Sequence, residues 1–287
     1  MKVLITGKGG QLAWELEQLA PQTVEVICVG KDELDITDEK KVTDFIAENK
    51  PNLVINAAAY TAVDQAETDS KIAYAVNELG VKYIAQACKK IGARILHIST
   101  DFVFDGASAT PYQTDAIPNP LNVYGASKLA GEIALRKILP EANVIVRTAW
   151  VYSANGNNFV KSMLRLMQEK PQLGIIYDQV GTPTWAKGLA QWLWLIAGKP
   201  EVTGTYHWTD AGVASWYDFA IAIQELGLEK GLLDKSIPVL PILAIAYPTP
   251  GKRPIFAVID KTTAEKISGL NTVHWRKQLS VMMDELV

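Results

Sequence analysis

The chain has 287 residues, 48% of them hydrophobic, and a formal net charge of −3. This length and apolar content are enough for one large or two modest globular domains. The weakly acidic balance provides no basic field for a nucleic-acid backbone or an anionic membrane, so we expect neither as a partner.

Cysteine content and apolar runs indicate the compartment. The chain has two cysteines, Cys28 and Cys88, which disfavours a disulfide framework and suits a reducing environment. The apolar run from Leu189 to Gly198 covers about half of a membrane span, and the N-terminal residues do not resemble a cleaved leader. We therefore expect a cytoplasmic protein without a membrane segment.

The chain opens with a strand, a glycine turn and a helix. Val3 to Thr6 are apolar and precede Gly7 and Gly10, after which a helical pattern begins. In dinucleotide-binding folds, the first glycine permits the tight turn and the second lets the pyrophosphate approach amides at the helix N-terminus. Ala13 stands where a third glycine is usual. This opening predicts NAD(P) binding.

The second predicted strand, Val24 to Val29, ends at Gly30 and Lys31. An acidic residue at this point accepts the ribose 2′-hydroxyl of NADH, whereas a cation attracts the 2′-phosphate of NADPH. The sequence thus favours NADPH, and NADH stays open because Lys31 could point into water. Asp35 and Ile36 could border the adenine. Alternatively, Asp35 or Asp38 could cap the helix that follows.

Further strands and helices alternate up to about residue 150. Apolar strands are predicted at 53–56, 95–98 and 144–147, and a core helix covers 69–91 with Asn77 as its one odd polar member. This alternation predicts an α/β fold, a Rossmann-type doubly wound parallel sheet with a smaller C-terminal substrate-binding domain. We assign residues 1–150 to NAD(P) binding and 151–287 mainly to substrate, with some segments returning to the Rossmann core.

Tyr124 and Lys128 lie four residues apart in a predicted helix, Y-G-A-S-K. Residues at this spacing share one face, so the ammonium is expected to lower the pKa of the phenol and make it a proton donor. Thr100 ends the strand at 95–98, where α/β sheets place ligands, and completes a catalytic trio. The same spacing also occurs as a solvated pair in many helices, so the surrounding motifs carry the interpretation.

The second half contains polar loops and scattered charges. The loops Asn155 to Phe159 and Asp178 to Thr184 have the composition of a binding wall. Arg253 either grips a diphosphate or is a surface arginine beside a turn. The three histidines are far apart in sequence and show no metal-ligand spacing, so we predict no zinc site.

Several segments occur together, in one order, across nearly the whole chain. They are Asn56 to Glu67, Ser99 to Phe104, Asn122 to Glu132, Arg147 to Tyr152, Gly156 to Phe159 and Asp178 to Thr184. With them the chain resembles the extended short-chain dehydrogenase/reductase superfamily and, within it, the dTDP-4-dehydrorhamnose reductase family.

The resemblance implies reduction of the C4 ketone of dTDP-4-dehydro-L-rhamnose to dTDP-L-rhamnose, for cell-surface polysaccharide. It implies that Tyr124 donates the proton, Lys128 holds the nicotinamide ribose, and Thr100 hydrogen-bonds the ketone oxygen. Matching cofactor-contact positions are Gly10, Gln11, Leu12, Asp35, Ile36, Ala59, Tyr60 and Thr61, which join Gly7 and Lys31 from the glycine turn and the end of the second strand. Matching or suggested substrate contacts are Thr100, Asp101, Trp150, Asn158, Gln179 and Arg253.

The resemblance leaves the metal and the assembly open. Some members are dimers bridged by magnesium through glutamates; Glu15 and Glu285 match, but Lys187 stands in place of a third carboxylate. Mg²⁺ and a homodimer therefore remain undecided.

Two other functions stay open: a nucleotide-sugar epimerase, and a non-catalytic NADP-binding subunit resembling the methionine adenosyltransferase beta subunit. Dehydration is disfavoured because Phe102, not a second carboxylic residue, follows Asp101.

Overall fold

Strands and helices alternate along the chain, and the computed structural model describes all residues from Met1 to Val287. The strands are β1 (Lys2–Thr6), β2 (Glu25–Val29), β3 (Leu53–Asn56), β4 (Arg94–Thr100), β5 (Asn143–Thr148), β6 (Val151–Tyr152), β7 (Leu173–Ile176), β8 (Val180–Gly181), β9 (Thr184–Trp185), β10 (Gly204–His207), β11 (Ala214–Ser215) and β12 (Val239–Ile242). The helices are α1 (Gln11–Gln18), α2 (Glu39–Asn49), α3 (Val63–Ala66), α4 (Ser70–Tyr74), α5 (Val81–Ile91), α6 (Val123–Ile138), α7 (Phe159–Glu169), α8 (Ala186–Ala197), α9 (Trp216–Glu229), α10 (Thr262–Ser268) and α11 (Trp275–Asp284).

A six-stranded parallel sheet forms the centre, in the order β10-β5-β4-β3-β1-β2. Side chains alternate between its faces: Val3 and Ile5 of β1 join the core under α1 and α8, whereas Leu4 joins the core under α2 and α5. Helices thus cover both faces. The predicted doubly wound α/β fold is confirmed.

A second apolar core lies in the C-terminal half. Its buried residues come mainly from α7, α9 and α11, with Phe219 and Met282 fully enclosed. Short two-stranded pairs, β7 with β12, β8 with β11 and β6 with β9, flank these helices. From the same half of the chain, β10 joins the central sheet and α8 packs on α1. No helix is both long and apolar enough to cross a membrane.

The predicted core helix over 69–91 is divided. A π-helical stretch, Ala75–Gly80, separates α4 from α5. Asn77 lies in this stretch, where its amide holds the backbone of Tyr60 and the hydroxyl of Ser127 at 2.9 to 3.0 Å. Ile72 and Leu79, two apolar residues within the helix predicted to pack on the core, are exposed at 54% and 37%, because the helical phase changes across the π turn.

Two glycines allow α6 to approach its neighbours closely. A side chain at Gly125 would meet the Phe102 carbonyl oxygen at 2.2 Å, and one at Gly131 would meet the Asn77 carbonyl oxygen at 2.1 Å. Asn122 caps the helix by accepting the amide of Gly125 at 2.7 Å. These contacts fix α6 beside the end of β4.

Candidate active site

Thr100, Tyr124 and Lys128 gather where β4 ends against α6. Tyr124 and Lys128 are 9% and 2% exposed, and Thr100 is also buried. The Lys128 ammonium donates to the carbonyl oxygen of Ile98 at 2.6 Å. The Thr100 hydroxyl donates to Asp101 at 3.0 Å and accepts the Phe102 amide at 3.2 Å. The structure therefore brings the predicted catalytic trio together.

The prediction that Tyr124 has a lowered pKa is wrong for this structure. Burial raises the pKa of Tyr124 to about 12 because it disfavours the phenolate, although the Thr100 hydroxyl acts in the opposite direction. Burial also lowers the pKa of Lys128 to about 8, against the attraction of Glu132. Lys128 directs its ammonium at Ile98, so spacing alone does not acidify the phenol. At neutral pH Tyr124 carries the proton that a donor needs.

Asp101 is a buried carboxyl beside this trio. Its Oδ2 atom has no hydrogen-bond partner in the protein, while Oδ1 accepts from Thr100. Burial raises the pKa of Asp101 to about 7. The group therefore changes charge near neutrality, within reach of the Thr100 hydroxyl.

The glycine turn has the geometry of a dinucleotide cradle. Gly7 has a φ of +92°, and a side chain there would lie 2.8 Å from the backbone of Ala57. Gly10 precedes α1, whose first amides at Gln11 and Leu12 have no partner within the helix. The absence of a side chain at Gly7 thus lets the glycine turn pack directly against the backbone that follows β3.

A carboxylate that the sequence analysis missed stands at the end of β2. Glu33 accepts the Gly30 amide at 2.8 Å and pairs with Lys8 of the glycine turn at 3.2 Å, and Lys31 is exposed as these two residues are. The spacing of Glu33 three residues after Gly30 was the available signal. Both an acid and a base therefore flank the position where an adenine ribose is expected.

The remaining cofactor candidates have separate structural tasks. Asp35 bonds Thr37 within its own turn, and Asp38 caps α2. Ile36 is buried and lies against Gly80, where an added side chain would meet it at 2.8 Å.

Ala59, Tyr60 and Thr61 follow β3. Asn77 links the Tyr60 backbone to Ser127 on α6, so it couples this loop to the helix that carries Tyr124 and Lys128.

Trp150 has an unusual backbone. Its φ of 45° lies in the left-handed region, which non-glycine residues rarely adopt. Its ring stacks on Trp216 with centroids 3.6 Å apart, and a side chain at Gly181 would meet it at 2.7 Å. Gln179, two residues before Gly181, is also buried. A strained, stacked indole is the kind of rigid apolar surface that a sugar ring can contact.

Asn158 and Arg253 are engaged within the protein. Asn158 caps α7 and donates to Gln11 at 3.0 Å, which joins it to the glycine turn. Arg253 donates to both carboxylate oxygens of Asp64 at 2.9 Å, and to Thr249 and Gly251. Arg253 is therefore neither a free surface residue nor an open anion clamp here.

The residues of the suspected magnesium site do not fit that metal. Glu15 is buried and accepts from Ser153 at 2.7 Å, and Glu285 pairs with Lys187 at 2.7 Å. Burial raises the pKa of Glu15, and the nearby charge of Lys187 only partly opposes this shift. An ammonium cannot ligate a cation, and no cluster of three or more His, Cys, Asp or Glu residues exists in the structure.

A parallel Rossmann-type sheet with tyrosine, lysine and threonine at the end of its fourth strand defines an extended short-chain dehydrogenase/reductase. Comparison with known proteins agrees. Residues 1–287 match the family described as RmlD substrate binding domain. The chain is 42% identical to the dTDP-4-dehydrorhamnose reductase of Aggregatibacter actinomycetemcomitans, over 97% of each.

Two of the similar solved structures illustrate the match over nearly the full chain. The dTDP-4-dehydrorhamnose reductase of Clostridium acetobutylicum has a TM-score of 0.93 and 40% identity, covering 100% of this chain and 99% of that one. The enzyme of Bacillus anthracis, in complex with NADP, has a TM-score of 0.93 and 33% identity, covering 99% of each. The chain therefore belongs to the dTDP-4-dehydrorhamnose reductase family, an oxidoreductase family.

Proposed function

We propose that this protein reduces the C4 ketone of dTDP-4-dehydro-L-rhamnose to dTDP-L-rhamnose with NADPH. The observation that carries the proposal is the buried group of Thr100, Tyr124 and Lys128 at the end of β4. A fully protonated phenol beside a hydroxyl and an ammonium suits proton delivery to a developing alkoxide.

The chain's residues divide the reaction among themselves. When bound, NADPH supplies the hydride that reduces the carbonyl carbon. Thr100 holds the ketone oxygen, and Tyr124 transfers its phenolic proton to that oxygen. Lys128 stabilises the phenolate that remains and binds the nicotinamide ribose. One hydride and one proton are added, so the ketone becomes an alcohol.

The glycine turn supplies the cofactor contacts in this proposal. The bare backbone of Gly7 and Gly10 admits the pyrophosphate, and the amides of Gln11 and Leu12 face it at the start of α1. Ala59, Tyr60 and Thr61 border the nicotinamide side, while Asp35 and Ile36 border the adenine. Lys8 and Lys31 supply positive charge for a 2′-phosphate, which favours NADPH over NADH.

Residues 151–287 contribute most of the sugar-nucleotide wall, and Asp101 and Trp150 join it from the first half of the chain. Trp150 offers a flat face to the deoxysugar, and Asp101 and Gln179 provide polar contacts. Asn158 acts through Gln11, and Arg253 reaches a diphosphate only when it releases Asp64. We place the reaction in the cytoplasm, where its product serves cell-surface polysaccharide synthesis.

The direct test mixes purified protein, NADPH and dTDP-4-dehydro-L-rhamnose. We expect the reduced nicotinamide absorbance to fall and one dTDP-L-rhamnose to form for each NADPH oxidised. Interconversion of sugar epimers without net oxidation would instead support an epimerase. NADP binding with no turnover of this or related ketosugars would support the regulatory subunit.

A further inference from the structure

Glu132 is a fully buried carboxylate one helical turn after Lys128. It accepts from Ser99 at 2.6 Å and from two nitrogens of Arg147 at 2.9 and 2.8 Å, and Arg136 bonds the same carboxylate. Ser99 and Arg147 face each other on neighbouring strands β4 and β5. The carboxylate therefore ties α6 to both strands at the residue before Thr100.

Such a network needs a reason beyond stability. Buried ion pairs are costly to desolvate, and apolar residues of similar volume often stabilise a fold equally well. This network also lies directly behind the reacting groups. Glu132 lies one turn from Lys128 on the helix and accepts from Ser99, the residue before Thr100 on the strand. This single side chain therefore couples the positions of Lys128 and Thr100.

Among the titratable groups around Lys128, Glu132 is the one that stays negatively charged throughout the neutral pH range. On β4, His97 is buried and its pKa is lowered well below the usual range, so it is neutral, and Asp101 has a pKa of about 7. On α6, Tyr124 is protonated at neutral pH.

Arg147 reaches Glu132 from β5. Burial opposes ionisation of Glu132, but the bonds and charge of Arg147 outweigh it and hold the pKa of Glu132 below its usual value. The only hydrogen bond of the Lys128 ammonium goes to the neutral carbonyl of Ile98. Glu132 is therefore the charged group that favours the protonated form of Lys128 against the effect of burial on its pKa.

We propose that Glu132 is a positioning residue for the reduction, one that fixes Lys128 relative to Thr100 and keeps Lys128 protonated through its negative charge. The proposal rests on the proposed function of this site. Because Lys128 stabilises the phenolate of Tyr124, kcat depends on the protonated amine. A change at Glu132 must therefore alter the pH dependence of kcat and not only the stability of the fold.

The first variant is Glu132→Gln, which keeps the shape and removes the charge. Without the anion, the positive charge of Arg147 is uncompensated and the pKa of Lys128 falls. The alkaline limb of kcat then moves to lower pH by about one pH unit. Glu132→Asp keeps the charge and restores the position of that limb. Quenching of protein fluorescence by NADPH, followed against pH without sugar, reports the same shift independently of turnover.

A second variant, Arg136→Gln, protects the test against misfolding. The Arg136 side chain is 41% exposed, so its loss leaves the core intact. Removal of this cation increases the net negative charge beside Lys128 and raises its pKa. The alkaline limb then moves to higher pH by about a few tenths of a unit, because solvent screens a half-exposed charge.

Opposite movement of the two limbs supports the proposal. Folded variants whose pH profiles coincide with wild type overturn it, and if Glu132→Gln does not fold, Arg136→Gln decides alone. A wild-type protein that oxidises no NADPH refutes the proposed function instead. The two failures are therefore distinguishable.

Discussion

The Lys128 ammonium is anchored to the carbonyl oxygen of Ile98, two residues before Thr100, at 2.6 Å. The lysine thus belongs as much to the end of β4 as to its own helix. With a pKa lowered to about 8 by burial, it loses its proton as the pH rises through that value.

We therefore predict that kcat of the wild-type enzyme declines above pH 8. The amine is charged below its pKa and supports the phenolate of Tyr124, whereas above it that support disappears. A pH profile of kcat with saturating NADPH and sugar measures this limb. A rate that stays constant through pH 9 would contradict the assignment of Lys128.

Coenzyme preference is predicted to depend on Glu33. The carboxylate at the end of β2 repels a 2′-phosphate and accepts ribose hydroxyls, so Glu33→Gln should raise kcat/KM with NADPH relative to NADH by about tenfold. Lys8→Gln should change the ratio in the opposite direction. Glu48→Gln, an exposed glutamate near the end of α2, is the matched control. If all three variants had the same ratio of kcat/KM for NADPH over NADH, Glu33 and Lys8 would be excluded as determinants of coenzyme preference.

Metal independence is predicted from Lys187. The wild-type protein should keep its activity and its oligomeric state after chelation, because an ammonium already neutralises Glu285. Lys187→Glu should create a third carboxylate and acquire Mg²⁺ binding detectable by titration calorimetry, whereas Lys40→Glu on the exposed surface should not. Activity or assembly that chelation removes and Mg²⁺ restores would show a metal site that these side chains do not explain.

We predict that Arg253 and Asp64 both stabilise the fold and that only Arg253 also binds the sugar nucleotide. Their part-exposed ion pair holds residues 249–253 on α3, so Arg253→Gln and Asp64→Asn should each lower the free energy of unfolding by about 1 kcal/mol. Only Arg253→Gln should also raise KM for the sugar nucleotide. Identical KM values for the two variants would leave Arg253 with the structural role alone.

The elements readable from the sequence were those governed by local pattern. Alternating apolar strands and helices specified the parallel sheet, and the glycines specified the cradle at Gly7. The grouping of Tyr124, Lys128 and Thr100 was predictable because the first two are neighbours on one helix and Thr100 ends a strand.

The features missed depend on tertiary contacts. The pKa of Tyr124 is set by burial, and burial is not visible in a four-residue spacing. The bonds of Asn77 to Ser127, of Glu33 to Lys8 and of Asn158 to Gln11 join residues that only the fold brings together. The π turn likewise follows from packing, because helical periodicity alone predicted a continuous helix.

Delivery of the proton by Tyr124 is the step on which the proposed reaction depends most directly. Tyr124→Phe removes only the hydroxyl, and Phe102 packs edge-on against the ring at 5.6 Å, so the fold should persist. Tyr112→Phe, which loses a hydroxyl bonded to Asp105 instead, serves as the control.

The measurement is the rate of NADPH oxidation with dTDP-4-dehydro-L-rhamnose. We predict a fall of about 10²- to 10⁴-fold for Tyr124→Phe, with unchanged NADPH binding and a nearly normal rate for Tyr112→Phe. A Tyr124→Phe enzyme that reduces the ketosugar at the wild-type rate would contradict the account.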